Sequence, residues 1–143
     1  MCVDYRRLNA LTIKNKYPLP VIDEILDELS GAQWFTSLDM TSGYHQILME
    51  EADQYKAAFQ TQHGHFEYTV MPYGVTGGPT TFQQTMNYIL APLLRKGVVV
   101  FIDDILVYTK TWSDHLALLQ AMYDLLTEHR IKIKLSKCSF AQT

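Results

Sequence analysis

The segment Val98-Val99-Val100-Phe101-Ile102-Asp103-Asp104-Ile105-Leu106-Val107-Tyr108 restricts the fold of this chain more than any other. Two strongly β-prone apolar runs flank a pair of acids, which reads as two strands joined by a short polar hairpin turn. Strands apolar on both faces are buried, so Asp103 and Asp104 are expected at the edge of a core. Two like charges held there repel and are partly desolvated, which costs free energy unless a cation or a proton lies between them.

A second acidic strand end precedes it. In Trp34-Phe35-Thr36-Ser37-Leu38-Asp39, residues Phe35, Ser37 and Asp39 share one face and Trp34, Thr36 and Leu38 the other. Asp39 ends that strand just before Thr41-Ser42-Gly43, where the backbone can turn. If this strand lies beside the hairpin, three carboxylates converge into an all-oxygen environment suited to Mg²⁺ or Mn²⁺ rather than zinc. Two such ions a few ångströms apart activate an attacking oxygen and stabilise a leaving one in phosphoryl transfer.

The rest of the chain reads as mixed helix and strand. Val3 to Tyr5 suggests a short strand, followed by a turn-rich stretch to Pro20. Val21, Ile22, Ile25, Leu26 and Leu29 share a helical face, ended by Ser30-Gly31. Strands are expected near 34–39, 45–49, 56–61 and 66–70, with a hairpin tip at His63-Gly64. Pro79 opens a helix through Phe82, Met86 and Ile89, and Pro92 ends it near Ala91. Thr111-Trp112-Ser113-Asp114 resembles a capping box for a helix burying Leu116, Leu119, Met122 and Leu126. A strand at 131–135 is expected to close the chain. The expected class is α+β, an antiparallel sheet covered on one face by helices.

Several blocks then occur in order: Cys2-Val3-Asp4-Tyr5-Arg6-Arg7-Leu8-Asn9, Tyr17-Pro18-Leu19-Pro20, Leu38-Asp39-Met40-Thr41-Ser42-Gly43-Tyr44-His45-Gln46 and Met71-Pro72-Tyr73-Gly74-Val75-Thr76. Pro79-Thr80-Thr81-Phe82-Gln83, the hairpin block and Lys134-Leu135-Ser136-Lys137-Cys138-Ser139-Phe140 follow. The series resembles the reverse transcriptase of gypsy-class long-terminal-repeat retrotransposons. The resemblance implies the palm of a right-hand polymerase, about 34–49 and 76–143, with partial fingers, about 1–33 and 50–75. It implies RNA-directed DNA polymerase activity: a primer 3′-OH attacks the α-phosphate of a deoxynucleoside triphosphate on an RNA or DNA template. Two Mg²⁺ or Mn²⁺ ions are the implied cofactors.

By that resemblance Asp39 and Asp103 are metal ligands, Asp104 reaches the same region less directly, and Met40 offers a backbone carbonyl. Ser42 and Gly43 offer amides to the triphosphate. Tyr44 matches an aromatic gate that excludes a ribose 2′-OH. Tyr73 and Gly74 match the loop against the incoming nucleotide, and Asp4, Arg6 and Asn9 match a template-contacting block. Lys137 matches a basic residue that protonates departing pyrophosphate. Phe82 and Gln83 read as helix packing. Gly77-Gly78 stand where such elements usually have Asn-Ala, which is expected to loosen the loop before Pro79.

Composition bounds these readings. At 143 residues, with 48% apolar and 19% charged content, the chain suits one globular domain. Its apolar runs are shorter than a membrane span. Cys2 and Cys138 stand in no metal-ligand spacing and are expected to be free thiols. A net charge of −3 is not the footprint of a nucleic-acid binder. A carboxylate site is acidic by design, however, and the basic upstream fingers, the primer-gripping turn and the thumb that the resemblance implies do not match any part of this sequence. The expectation is therefore a fragment, poorly active alone, of a polyprotein that also carries RNase H and integrase regions and resides in a cytoplasmic virus-like particle. The alternative is a truncated, catalytically inactive remnant that folds without polymerising. An RNA-dependent RNA polymerase is disfavoured by the aromatic gate, and a carboxylate hydrolase leaves the Tyr73-Gly74 and Cys2-to-Asn9 blocks unexplained.

Overall fold

The computed structural model describes residues 2–143. Its centre is a four-stranded antiparallel sheet in the order β4-β5-β1-β6, formed by β1 (Trp34–Asp39), β4 (Val98–Phe101), β5 (Asp104–Thr109) and β6 (Ser139–Gln142). Leu38, Val98, Val100, Ile105 and Val107 point to one face, as alternation along each strand requires. Against them pack Phe82, Met86 and Ile89 of α3 (Gly78–Ile89) and Met122 and Leu126 of α4 (Trp112–Glu128). The helices thus cover one face, as expected, and the acids sit where β1 and β5 end beside that core.

Both covering helices begin as the sequence predicts. Pro79 lies in the first turn of α3, where its missing N–H costs nothing. Thr111 caps α4 by accepting from the Asp114 amide at 3.2 Å, and its hydroxyl donates back to the Asp114 carboxylate at 2.6 Å. Residue choice along α4 differs from expectation. Leu116 is exposed, whereas His115 is 0% exposed and bonded to Thr36 and Thr109. The inward stripe is rotated to take in a histidine because two threonine hydroxyls satisfy both ring nitrogens.

Several expected strands are absent. Residues 3–5 form no strand; buried Tyr5 instead precedes α1 (Arg6–Leu11), a helix within the stretch expected to be turns, and donates to the Ala57 carbonyl at 2.9 Å. The 45–49 strand is replaced by a 3-10 turn, Gly43–Gln46, and a lone bridge between Leu48 and Val70. The 56–61 strand is shortened to β2 (Phe59–Thr61), because a second 3-10 segment, Glu51–Ala57, takes its first two residues. β2 pairs with β3 (Gly64–Phe66) around the expected tip, so the 66–70 strand is earlier and shorter than read. The 131–135 strand shrinks to one bridge, Ile133 to Met40; the strand that closes the sheet is β6, because Cys138 to Gln142 takes the free edge of β1. In α2 (Ile22–Glu28) no residue is buried: Ile25 is half-buried, and Leu26 is 58% exposed.

Candidate active site

Asp39 and Asp104 are direct partners in the β1–β5 register. The Asp39 carbonyl accepts from the Lys134 amide at 2.8 Å, on the side of β1 away from β5. A residue's N–H and C=O point the same way along a strand, so Asp39 and Asp104 form a non-hydrogen-bonded pair, the closer of the two antiparallel pairings. The two carboxylates therefore share one face at short range. Burial, Asp103 and Asp39, in that order, push the Asp104 carboxyl above its ordinary value of 3.8, and Lys137 partly offsets them. Lys137 Nζ lies 3.3 Å from Asp39 Oδ2.

Asp103 is placed differently from expectation. The turn is Ile102–Asp103, and Asp104 already belongs to β5, so the acid that faces Asp39 squarely is Asp104 rather than Asp103. Asp103 instead lies beside Gly43, where an added Cβ would come within 3.5 Å of the Asp103 Cβ. The three acids do not converge as expected: among the described residues no group of three or more His, Cys, Asp or Glu forms a metal-binding cluster. Two acids meet across strands, and the third projects from the turn between them and Tyr44.

The segment after β1 is held tightly. Met40 is buried, and its bridge to Ile133 is flanked by bonds from Lys134 N to Asp39 O and from Thr41 N to Lys132 O. Its own carbonyl accordingly points to the opposite side, toward the acid-bearing hairpin. Ser42 adopts a left-handed φ of 47°, and Gly43 follows, buried. A Cβ on Gly43 would stand 3.1 Å from the Phe82 ring, which explains a residue without one there.

Tyr44 stacks on Tyr73 at 5.0 Å between centroids and 22° between planes, and leans on Phe82 at 5.5 Å. Burial raises its hydroxyl pKa, with further contributions from Asp103 and Tyr73. Tyr73 is itself 52% exposed, with the His45 ring edge-on to it at 4.9 Å between centroids. The glycine pair stands at the entry to α3. Gly77 takes φ 79° as the residue before α3, and Gly78, buried in its first turn, brings the backbone within 3.4 Å of the Tyr44 ring at the Cβ position.

The expected template block divides. Asp4 and Arg6 pair with each other, with Arg6 Nη2 2.6 Å from Asp4 Oδ2, and the Arg6 side chain is 88% exposed. That pairing lowers the Asp4 pKa. Asn9 is committed internally: Nδ2 donates to the Gly74 carbonyl at 2.9 Å and Oδ1 accepts from the Thr76 amide at 2.6 Å. Its amide fixes the Tyr73-Gly74 loop and leaves little for a template. Cys2 and Cys138 are free, as expected.

Sequence reasoning read Gln83 as helix packing and missed its polar partners. This side chain is 0% exposed, and both ends of its amide bond the acid-bearing hairpin: Nε2 to the Val100 carbonyl at 2.9 Å and Oε1 from the Ile102 amide at 2.6 Å. Its spacing with Met86 and Leu90 on α3 was the available signal, since a polar residue on an inward face needs a partner.

The sequence matches the family described as reverse transcriptase (RNA-dependent DNA polymerase) over residues 1–143. It is 44% identical over 138 residues to a retrovirus-related Pol polyprotein from transposon 297 of Drosophila melanogaster, covering 96% of this chain and 13% of that protein. An RNA-directed DNA polymerase homolog of Oenothera berteroana is 48% identical over 109 residues, 76% of this chain and 77% of its own length. The Tf2-3 transposon polyprotein of Schizosaccharomyces pombe is 39% identical over the whole chain, which spans 11% of it. Among solved structures, a foamy viral protease-reverse transcriptase in complex with an RNA/DNA hybrid superposes with a TM-score of 0.88 at 24% identity, covering 97% of this chain and 19% of that one. The same viral protein in complex with double-stranded DNA gives 0.87 at 24% identity, over 96% of this chain and 24% of that one. The α+β architecture of a partial polymerase palm and the ordered motifs agree with these likenesses, and the chain belongs to the reverse transcriptase family.

Proposed function

We propose that this chain is the palm, with part of the fingers (about 1–33 and 50–75), of the reverse transcriptase of a gypsy-class retrotransposon polyprotein. It extends a primer 3′-OH with deoxynucleotides on an RNA or DNA template. The observation that carries the reading is the close pairing of Asp39 with Asp104 at neighbouring strand ends, with Asp103 in the adjoining turn.

The donor set fits hard divalent cations. The acids are all oxygen, their mutual repulsion disfavours the charged form of Asp104, and the nearest counter-charge is one lysine on Asp39. The facing pair Asp39 and Asp104, with the Met40 carbonyl, would hold Mg²⁺ or Mn²⁺, and Asp103 in the adjoining turn would complete the set only on closing toward that pair. When bound, such ions lower the cost of the charge that develops on attacking and departing oxygens.

The remaining residues bind and orient. The Ser42 and Gly43 backbone offers donors at the mouth of the acids, and the Tyr44 ring, backed by Phe82 and Gly78, supplies a wall against a ribose 2′-OH. The half-exposed ring of Tyr73 offers a surface for a base to pack on, with Gly74 holding the loop close to Tyr5. Lys137 holds a proton within reach of the acids and is the candidate donor to departing pyrophosphate. Arg6, exposed beside Asp4, is the candidate template phosphate contact.

The test is nucleotide addition by this chain joined to the flanking polyprotein sequence of its own element, supplied with template, primer and Mg²⁺. Asp39→Asn is expected to lower the rate by at least about 100-fold, as losing a principal electrostatic contact in a transition state does. Its thermal melt should stay cooperative. Undiminished addition by that variant would remove the assignment.

A further inference from the structure

We propose that Gln83 is a positioning residue: its buried amide acts as a surrogate strand on the free edge of β4 and fixes the Ile102–Asp103 turn that carries the acids. The proposal rests on the catalytic reading of Asp39, Asp103 and Asp104.

β4 is the edge of the sheet: Leu94 bridges to Val98 at its start, where the Arg95 amide donates to the Val98 carbonyl at 3.1 Å, but beyond that its outward backbone groups have no strand to meet. Phe101 pairs with Asp104 across the turn, which directs the Val100 carbonyl and the Ile102 amide outward. Gln83 meets both, donating to Val100 O at 2.9 Å and accepting from Ile102 N at 2.6 Å. These are the two bonds that a neighbouring strand would make. The second Nε2 hydrogen goes to Asn87 Oδ1 at 2.9 Å, and Asn87 Nδ2 donates in turn to the Tyr17 hydroxyl at 2.9 Å. Every partner fixes the amide's orientation, because a flip would set N–H against N–H at Ile102 and O against O at Val100.

The turn needs such a restraint. Ile102 takes φ 55°, a left-handed conformation that a β-branched residue adopts only when its surroundings impose it. The bond to its amide is that imposition. The preceding residue, Phe82, abuts Gly43 on the other acid-bearing segment. One turn of α3 therefore sets both the hairpin and the loop after Asp39. A side chain that only filled the core would be apolar here, since a buried amide is costly unless each polar atom is matched.

The test uses the polymerase assembled as above, with single-nucleotide addition measured in Gln83→Met and Gln83→Glu. Gln83→Met keeps the volume and removes the bonds. It is expected to lower kcat about 10- to 100-fold, the scale of an ångström misplacement, with the template–primer Kd changed less than about threefold. Gln83→Glu keeps the acceptor for Ile102 but meets the Val100 carbonyl with a donor only when protonated, so its activity relative to the parent should rise as pH falls. In the 143-residue chain, the Ile102 amide should exchange with solvent at least about tenfold faster in Gln83→Met, with Ile105 and Val107 still protected. Parental kcat in Gln83→Met, or unaltered Ile102 exchange, overturns the proposal. Should Gln83→Met fail to fold, the Gln83→Glu profile decides, and a pH-independent activity ratio is the overturning result. If Asp39→Asn is also fully active, the catalytic reading is what fails.

Discussion

Replacing Asp104 by Asn should stabilise the free protein while weakening its hold on divalent cations. Asp104 opposes Asp39 as a close cross-strand pair, in which Cβ atoms stand about 5 Å apart. Two unit charges at about 5 Å repel by about 0.8 kcal/mol at the dielectric of water and about twice that at half its value. Asp104 is exposed as a residue although its carboxyl is partly shielded from water, so solvent screening favours the lower figure, and Asp103 adds to it while Lys137 subtracts. The net relief is about 0.5–1 kcal/mol, which for a chain of this size raises Tm by about 1–4 °C. The pH dependence has a definite sign. A carboxyl whose folded pKa lies above its ordinary 3.8 binds more protons folded than unfolded between those values. The penalty therefore grows as pH rises through that window and is absent below it. Thermal melts of parent and Asp104→Asn at pH 7 and pH 3 are the assay, repeated in high salt, where the gain should shrink. Added Mg²⁺ should raise the parent's Tm and move the variant's less, because a ligand that binds only the folded state stabilises it. A variant that melts below the parent at pH 7, or keeps its gain at pH 3, would refute the cross-strand repulsion.

Two further outcomes follow from single side chains. In the assembled polymerase, Tyr44→Ala should raise incorporation of a ribonucleotide relative to its deoxy counterpart, by a factor corresponding to about 1–3 kcal/mol, the range for a pocket that merely excludes a small group; an unchanged ratio leaves Tyr44 as packing between Tyr73 and Phe82. His115 is fully buried and its pKa is lowered by that burial from the ordinary 6.5, so the unfolded chain takes the proton first and stability should be lost as pH falls from about 6.5 downward. An NMR titration of its ring with a midpoint at or above 6.5 would contradict this.

How far the sequence disclosed this arrangement depended on whether the signal was periodic. Strand β1, the β4–β5 hairpin and helices α3 and α4 carry a two-residue period, paired apolar runs about a polar break, a proline in the first turn or a capped amphipathic run, and they form where expected. The hairpin turn nevertheless lies one residue earlier, and the inward stripe of α4 takes in His115. Residues 45–49 end in the apolar run Ile47-Leu48-Met49, yet left-handed Ser42 precedes a 3-10 turn over Gly43–Gln46 there instead of a strand. Strand β6 carries no apolar alternation; it forms because β1 still has an open edge, a tertiary fact that no local pattern contains. The acids were legible as residues, since charge between apolar strands is rare. Their facing was not, because one position in the turn decides whether Asp103 or Asp104 opposes Asp39. Asn9 and Gln83 were misread for a shared reason: each spends its side chain on backbone groups of a distant loop, Gly74 and Thr76 for one and Val100 and Ile102 for the other.

Those two amides also explain how a site so unfavourable to itself can persist. Asp39 and Asp104 repel, Ile102 is held in a strained conformation, and Ser42 is left-handed beside a glycine with almost no space around it. None of these lowers the energy of the fold. They are tolerated because α3 buries Phe82 and Met86 against the sheet and carries Gln83 with them to the hairpin, while Asn9 anchors the loop bearing Tyr73. Gly77 and Gly78 belong to the same economy of space, because they let α3 begin against the Tyr44 ring. The acids, the aromatic wall and the stacking tyrosine are thus all referred to one helix. A change that shifted α3 would displace all three together, whereas a change at any one acid would leave the others where they stand.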